Sequence, residues 1–199
     1  MTRRDNIRFE LQGELAAVRN AQALGAQLPY VQDRAIATLK RRLPVFARRD
    51  IQAEYNLKAG RINQDLIVRG DGNGISLSGR WGRGIGLLNF GARQVRKGVT
   101  AAIFRGKREL HQGAFKARLL SGNTQIVTRS GAPRPMTAGR YKGKRREPLA
   151  VEYGATIAQA LAKGRRPERI ADFARGVLAA EVERLRESYE RRGRKSASG

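Results

Sequence analysis

Gly98-Val99-Thr100-Ala101-Ala102-Ile103-Phe104 decides how this chain folds. Val99, Ala101 and Ile103 alternate with Thr100, Ala102 and Phe104, the two-residue period of a strand in a sheet covered on one side. Downstream, Ala114–Leu119 and Gln125–Arg129 read as two more strands, with Ser121-Gly122-Asn123 as the hairpin turn between them. Pro148–Tyr153 supplies a final strand. Upstream, eight glycines fall within the 22 residues from Gly70 to Gly91. Short β-like runs lie among and beside them at Asp65–Arg69, Ile75–Ser78 and Gly86–Phe90.

Both ends of the chain carry the helical period instead. From Pro29 to Glu54, Val31, Ala35, Ile36, Leu39, Leu43, Phe46 and Ala47 recur at three- and four-residue steps, with Lys40, Arg41, Arg42, Arg48 and Arg49 on the solvated side. Pro29 suits a first helical turn, whereas Pro44 is expected to kink this helix or split it near Leu43. Before it, Phe9, Leu11, Leu15, Ala16 and Val18 read as a short amphipathic helix weakened by Gly13 and Gly25. After it, a short helix runs from Asn56, as N-cap, to Asn63. Ala155–Lys163 is helical and stopped by Gly164. Pro167 to Arg192 is the clearest helix, with Ile170, Phe173, Val177, Leu178, Val182, Leu185 and Tyr189 on one face.

The expected class is therefore α+β: N-terminal helices, a central antiparallel sheet with glycine-rich loops, and a long C-terminal helix. One domain is expected over 1–199. Its parts are a helical section at 1–65, sheet and basic loops at 66–153, C-terminal helices at 154–192 and a flexible tail at 193–199.

Charge sets the function class. Against 41 Lys and Arg stand 17 Asp and Glu, a formal net charge of +24 on 199 residues. A hydrophobic fraction of 40% still builds a core, and with aromatics at 6% that core is mostly Ala, Val, Ile and Leu. With no cysteine, disulfides, thiolate zinc sites and cysteine nucleophiles are excluded. His111, the single histidine, reads as a turn residue with no orienting partner, which argues against acid–base relays and histidine metal sites. Asp65, Asp71 and Glu109 lack EF-hand spacing. No enzyme, metal or cofactor is expected.

No apolar run approaches the roughly 18 residues of a membrane span. The charged N-terminus leads into no hydrophobic signal segment. A soluble protein made in the cytosol is expected, with a polyanion or an acidic protein surface as its partner.

Gly79-Arg80-Trp81-Gly82-Arg83-Gly84-Ile85-Gly86 lacks the frame of a dinucleotide or phosphate-binding loop. It reads either as a turn-rich segment or as an arm packing on a neighbouring subunit with Trp81 as anchor. Arg93–Arg118 carries eight cations and one acid, and Arg129–Arg146 seven cations and none. Gly131–Arg146, with Pro133 and Pro135, reads as an exposed, mobile loop. Arg93, Arg96, Lys97, Arg140, Lys142, Lys144, Arg145 and Arg146 are the candidates for contact with DNA or an acidic partner. Few aromatics punctuate these runs, so base stacking on single strands is disfavoured. No helix-turn-helix, zinc or RNA-recognition signature appears.

A family resemblance emerges from an ordered series of motifs. These are Leu88-Asn89-Phe90-Gly91-Ala92-Arg93-Gln94, Lys97-Gly98-Val99, Gly113-Ala114-Phe115, Ser121–Val127 with Arg129 and Gly131, and Pro148–Ile157. The series resembles the prophage minor tail protein Z family, the tail completion proteins of long-tailed bacteriophages. The basic helix, Leu57–Asp65 and the last helix extend the likeness over nearly the whole chain. Gly154-Ala155-Thr156 stands where the family more usually has Gly-Pro-Ser, and Arg134–Arg146 is longer than the family's loop.

The resemblance implies a structural, non-enzymatic virion protein in the tail and neck, assembled in the host bacterial cytoplasm. It implies contacts with tail terminator, tail tube and neck or connector proteins and with the double-stranded DNA end. It also implies a homo-oligomeric ring, six-fold to match a tail tube; Trp81 and Phe90 are the candidate subunit contacts. The alternative is a free-standing basic nucleic-acid-binding protein.

Overall fold

The structure, a computed structural model, describes residues 8–10, 28–71, 74–82 and 84–197. The chain is α+β, with every paired strand antiparallel. In order come β1 (Arg8–Glu10), α1 (Leu28–Glu54), α2 (Ala59–Asp65), β2 (Leu66–Asp71) and β3 (Gly74–Gly79). A 3₁₀ turn (Leu87–Phe90) precedes β4 (Arg93–Val95), β5 (Gly98–Phe104), β6 (Lys107–Gln112), β7 (Phe115–Arg118) and β8 (Thr124–Arg129). The chain then forms β9 (Arg134–Pro135), β10 (Arg145–Arg146), β11 (Leu149–Val151), α3 (Ile157–Ala162) and α4 (Arg166–Ala197). Instead of one central sheet, the described strands form three three-stranded sheets (β1-β3-β2, β4-β5-β6 and β11-β8-β7) and the β9–β10 ladder.

Two compact units result. The first takes its described residues from Met1–Ile51, Asn63–Trp81 and Ile157–Gly199, and the second from Gln52–Ile62 and Gly82–Thr156. The sections read from the sequence are contiguous, whereas these units interleave.

In the first unit α1 and α4 run antiparallel. Val31 packs with Leu185, Val182 and Tyr189 at one end. Phe46 stacks on Phe173 farther along, with ring centroids 4.1 Å apart. At the far end Asp50 meets Arg166 and Arg169. The buried stripe of α1 is Val31, Ala35, Leu39, Leu43, Ala47 and Ile51, in phase with the period of the sequence. Pro44 does not split the helix. It removes one backbone donor, but Leu43 and Ala47 on either side stay buried, and that packing outweighs the defect. The α3 backbone lies directly on Gly79 of β3, where a Cβ would stand 2.5 Å from the Ala158 nitrogen. Gly164, at φ 58°, ends the turn after α3, as expected. The last helix continues past Arg192 to Ala197.

In the second unit the core comprises Tyr55, Leu57, Ile62, Ile85, Leu87, Phe90, Val99, Ala101, Ala102, Ala114, Ile126 and Val127. The β5–β6 pairing runs Ala101↔Glu109 and then Phe104↔Lys107, so two β5 residues face one on β6. This bulge breaks the simple alternation and buries both Ala101 and Ala102. Strand β6, which opens Lys-Arg-Glu, is an element the sequence pattern does not announce, and it places His111 in a strand rather than a turn. Gly86–Phe90 is not a strand: Gly86 makes a single bridge to Tyr153, and Leu87–Phe90 is the 3₁₀ turn. Asn56 caps no helix, because α2 begins only at Ala59; its side-chain amide donates instead to the Phe90 carbonyl at 3.3 Å.

Phe9 lies in β1, not in a helix; the other residues of that expected helix, Leu11, Leu15, Ala16 and Val18, lie outside the described residues. No helix among the described residues is long and apolar enough to cross a membrane.

Candidate partner and nucleic-acid interface

The second unit carries all eight cations singled out in the sequence, on two separate hairpins. Val95↔Gly98 pairing leaves Arg96 and Lys97 as a two-residue turn between β4 and β5. Arg93, Arg96 and Lys97 are all exposed. The hairpin is pinned by Gln94: its amide donates to the Gly98 carbonyl at 2.9 Å, and its side-chain oxygen accepts from the Lys116 backbone N–H at 3.0 Å.

The second cluster lies on residues 131–146. The expected mobile loop is a hairpin, closed by backbone groups and by Arg145, whose guanidinium donates to the Pro133 carbonyl at 3.1 Å. Arg146↔Arg134 and Arg145↔Pro135 form the ladder. The Met136 N–H donates to the Lys144 carbonyl at 3.0 Å and the Gly143 N–H to the Met136 carbonyl at 2.8 Å. Its tip turns through Gly139 and Gly143, at φ 75° and 80°, which glycine adopts without steric cost. Arg140, Lys142, Lys144 and Arg145 are exposed and Arg146 is half-buried. The Arg146 guanidinium lies 3.7 Å from the centroid of the Tyr141 ring, and that of Arg140 lies 5.6 Å from it.

The two aromatic candidates part company. Trp81 is 41% exposed, so its indole is available at the surface of the first unit. Phe90 is 0% exposed and belongs to the core of the second unit, which rules it out as a subunit contact. Its aromaticity serves interior packing against Gly154.

The second unit also holds a groove of about 940 Å³ that no sequence motif marks. The β7–β8 turn, the basic hairpin and the start of β11 enclose it. Phe115, Leu119, Leu120, Met136, Pro148 and Leu149 give it apolar lining, with Arg118, Arg129, Arg134, Arg140 and Arg146 among its charged groups. Glu147 is the one acidic residue of that lining. Along the chain the arginines register as charge, but their apolar companions come from three segments and form no pattern.

Three carboxylates are held by cationic partners. Burial pushes the Asp50 carboxyl up, but hydrogen bonds from Arg169 (2.8 Å) and Arg166 (2.5 Å), with their charges, outweigh it and hold the pKa below its ordinary value. The hydrogen bond from Arg184 lowers that of Glu181, which also accepts from Thr38 at 3.2 Å. Lys107 does the same for Glu109 across 2.8 Å. Among the described residues no group of three or more His, Cys, Asp or Glu is placed to hold a metal ion. Comparisons with protein-family models, with curated proteins and with solved structures return no match.

Proposed function

We propose that the chain is a structural virion protein that completes a phage tail at its head-proximal end and helps form the head–tail junction, touching DNA without sequence specificity. Its partners are the tail terminator, tail tube and neck proteins, the DNA end and further copies of itself in a ring. One observation carries the reading beyond the resemblance: the motifs behind it interlock. Phe90 packs on Gly154, and Gln94 ties Gly98 to Ala114 through its side-chain amide. Residues as distant in sequence as Phe90 and Gly154 thus serve one packed unit. From that unit the two basic hairpins face outward, which suits a subunit bordering a DNA conduit.

The test mixes the purified chain with tail terminator, tube and neck proteins and follows sedimentation. Incorporation as a ring is the expected result. Tight, steeply salt-dependent DNA binding by the isolated monomer, with no affinity for any phage component, would instead make it a free-standing nucleic-acid-binding protein.

A further inference from the structure

We propose that the groove between the β7–β8 turn and the basic hairpin docks an acidic peptide segment bearing aliphatic side chains, on a partner protein. The inference goes beyond the virion reading and does not rest on it.

Charge gives the first argument. Five arginines and one glutamate line the groove, so an occupant must bring carboxylates or phosphates. Shape and polarity give the second. Leu120 is 79% exposed, and Leu149 is also open to solvent; together with Met136 they offer apolar contact that a solvated phosphate backbone cannot use. The third argument separates peptide from nucleic acid. Single strands bind by stacking bases on aromatic faces. Here guanidiniums already stand over the rings, those of Arg146 and Arg140 over Tyr141 and that of Arg129 over Phe115 at 5.6 Å. What remains for an occupant is aliphatic surface bounded by forked donors, which match carboxylates two hydrogen bonds at a time.

The walls are built to hold that shape. Leu120 rests on Gly139, where a Cβ would come within 2.7 Å of its Cδ2, so the hairpin tip and the β7–β8 turn meet. Arg118 secures the turn by donating to the Gly122 carbonyl at 3.3 Å. Leu149 lies on β11, an edge strand of its sheet. Lys142, Lys144 and Arg145 do not line the groove, so the hairpin presents two surfaces: Arg140 and Arg146 toward the groove, the others elsewhere.

The probe is a short, capped, fluorescent peptide of Glu and Leu, titrated into the full chain. Comparison peptides carry Gln for Glu or Ser for Leu, and a charge-matched oligo-dT tests the nucleic-acid alternative. Saturable binding of the Glu/Leu peptide is expected, with roughly tenfold losses for each comparison peptide and for Arg129→Gln/Arg146→Gln. Leu120→Ser should weaken the peptide severalfold and leave oligo-dT unchanged; its exposure keeps the fold out of the result. Lys142→Gln/Lys144→Gln should leave peptide affinity unchanged. Absence of peptide binding, equal binding of the Ser-for-Leu peptide, indifference to Leu120→Ser, or loss of oligo-dT binding in Leu120→Ser would each overturn the proposal.

Discussion

The Phe90 ring lies across the α-carbon of Gly154, leaving no room for a methyl group: a Cβ there would stand 2.5 Å from Cε2 and 2.9 Å from Cζ. Phe90 is fully buried, so its ring has nowhere to retreat. Gly154→Ala is expected to cost about 1–3 kcal/mol, the usual range for overpacking a core. A urea unfolding midpoint measures it. Gly60→Ala is the control: that glycine sits in α2 with nothing near its missing Cβ, and alanine there should stabilise by roughly 0.5–1 kcal/mol.

Asp50 sets an acid limit on the first unit. Arg166 is 1% exposed and pairs with Asp50, so Asp50→Ala takes the carboxylate from beside a buried guanidinium, which keeps its bond to the Ala160 carbonyl, and should cost about 3 kcal/mol. Because the folded pKa of Asp50 lies below the unfolded one, its stabilisation is complete above the ordinary carboxylate range. It is lost as pH falls through the lowered folded value. Thermal melts at stepped acid pH should show that loss in the native chain and a flatter profile in Asp50→Asn.

On α4 the depth of burial ranks two neighbouring substitutions. Val177 is buried and Leu178 half-buried. A carboxylate forced in at either position lacks a partner, so Val177→Asp should be the more damaging, by about 1 kcal/mol or more. Equal midpoints would contradict the packing of this face.

Replacing Arg140, Lys142, Lys144, Arg145 and Arg146 together with Gln should leave far-UV circular dichroism unchanged and stability within about 1 kcal/mol, since backbone bonds close the hairpin. DNA affinity should fall, with the slope of log affinity against log salt reduced by up to about 0.9 for each phosphate that the hairpin no longer neutralises. Collapse of the melting transition would assign these residues to the fold.

What the sequence reveals follows from where apolar residues repeat. Val31 to Ile51 and Ile170 to Leu185 repeat at helical spacing over several turns, and both helices are legible to within a few residues. Val99 and Ala101 mark β5, but nothing local announces the bulge that also buries Ala102, since it depends on pairing with β6. Strand β6 begins Lys107-Arg108-Glu109 and has no apolar face to display; it is an edge, where charge is tolerated and discourages further pairing. The 131–146 hairpin is hidden for the same reason, being held by backbone groups and glycine turns. Phe90 reads as a surface anchor because its covering partner, Gly154, lies far downstream and has no side chain to advertise the packing. The candidate cations do stand at the surface, Arg146 partly covered, whereas the groove requires the β7–β8 turn, the basic hairpin and β11 to meet.

The most direct measurement of the central claim is complementation in vitro. Tails assembled without this chain are mixed with DNA-filled heads, with and without the purified protein, and infectious particles are counted. The account predicts joined, infectious particles only when the protein is added. Equal yields in both mixtures, with the protein left free in solution, would contradict it.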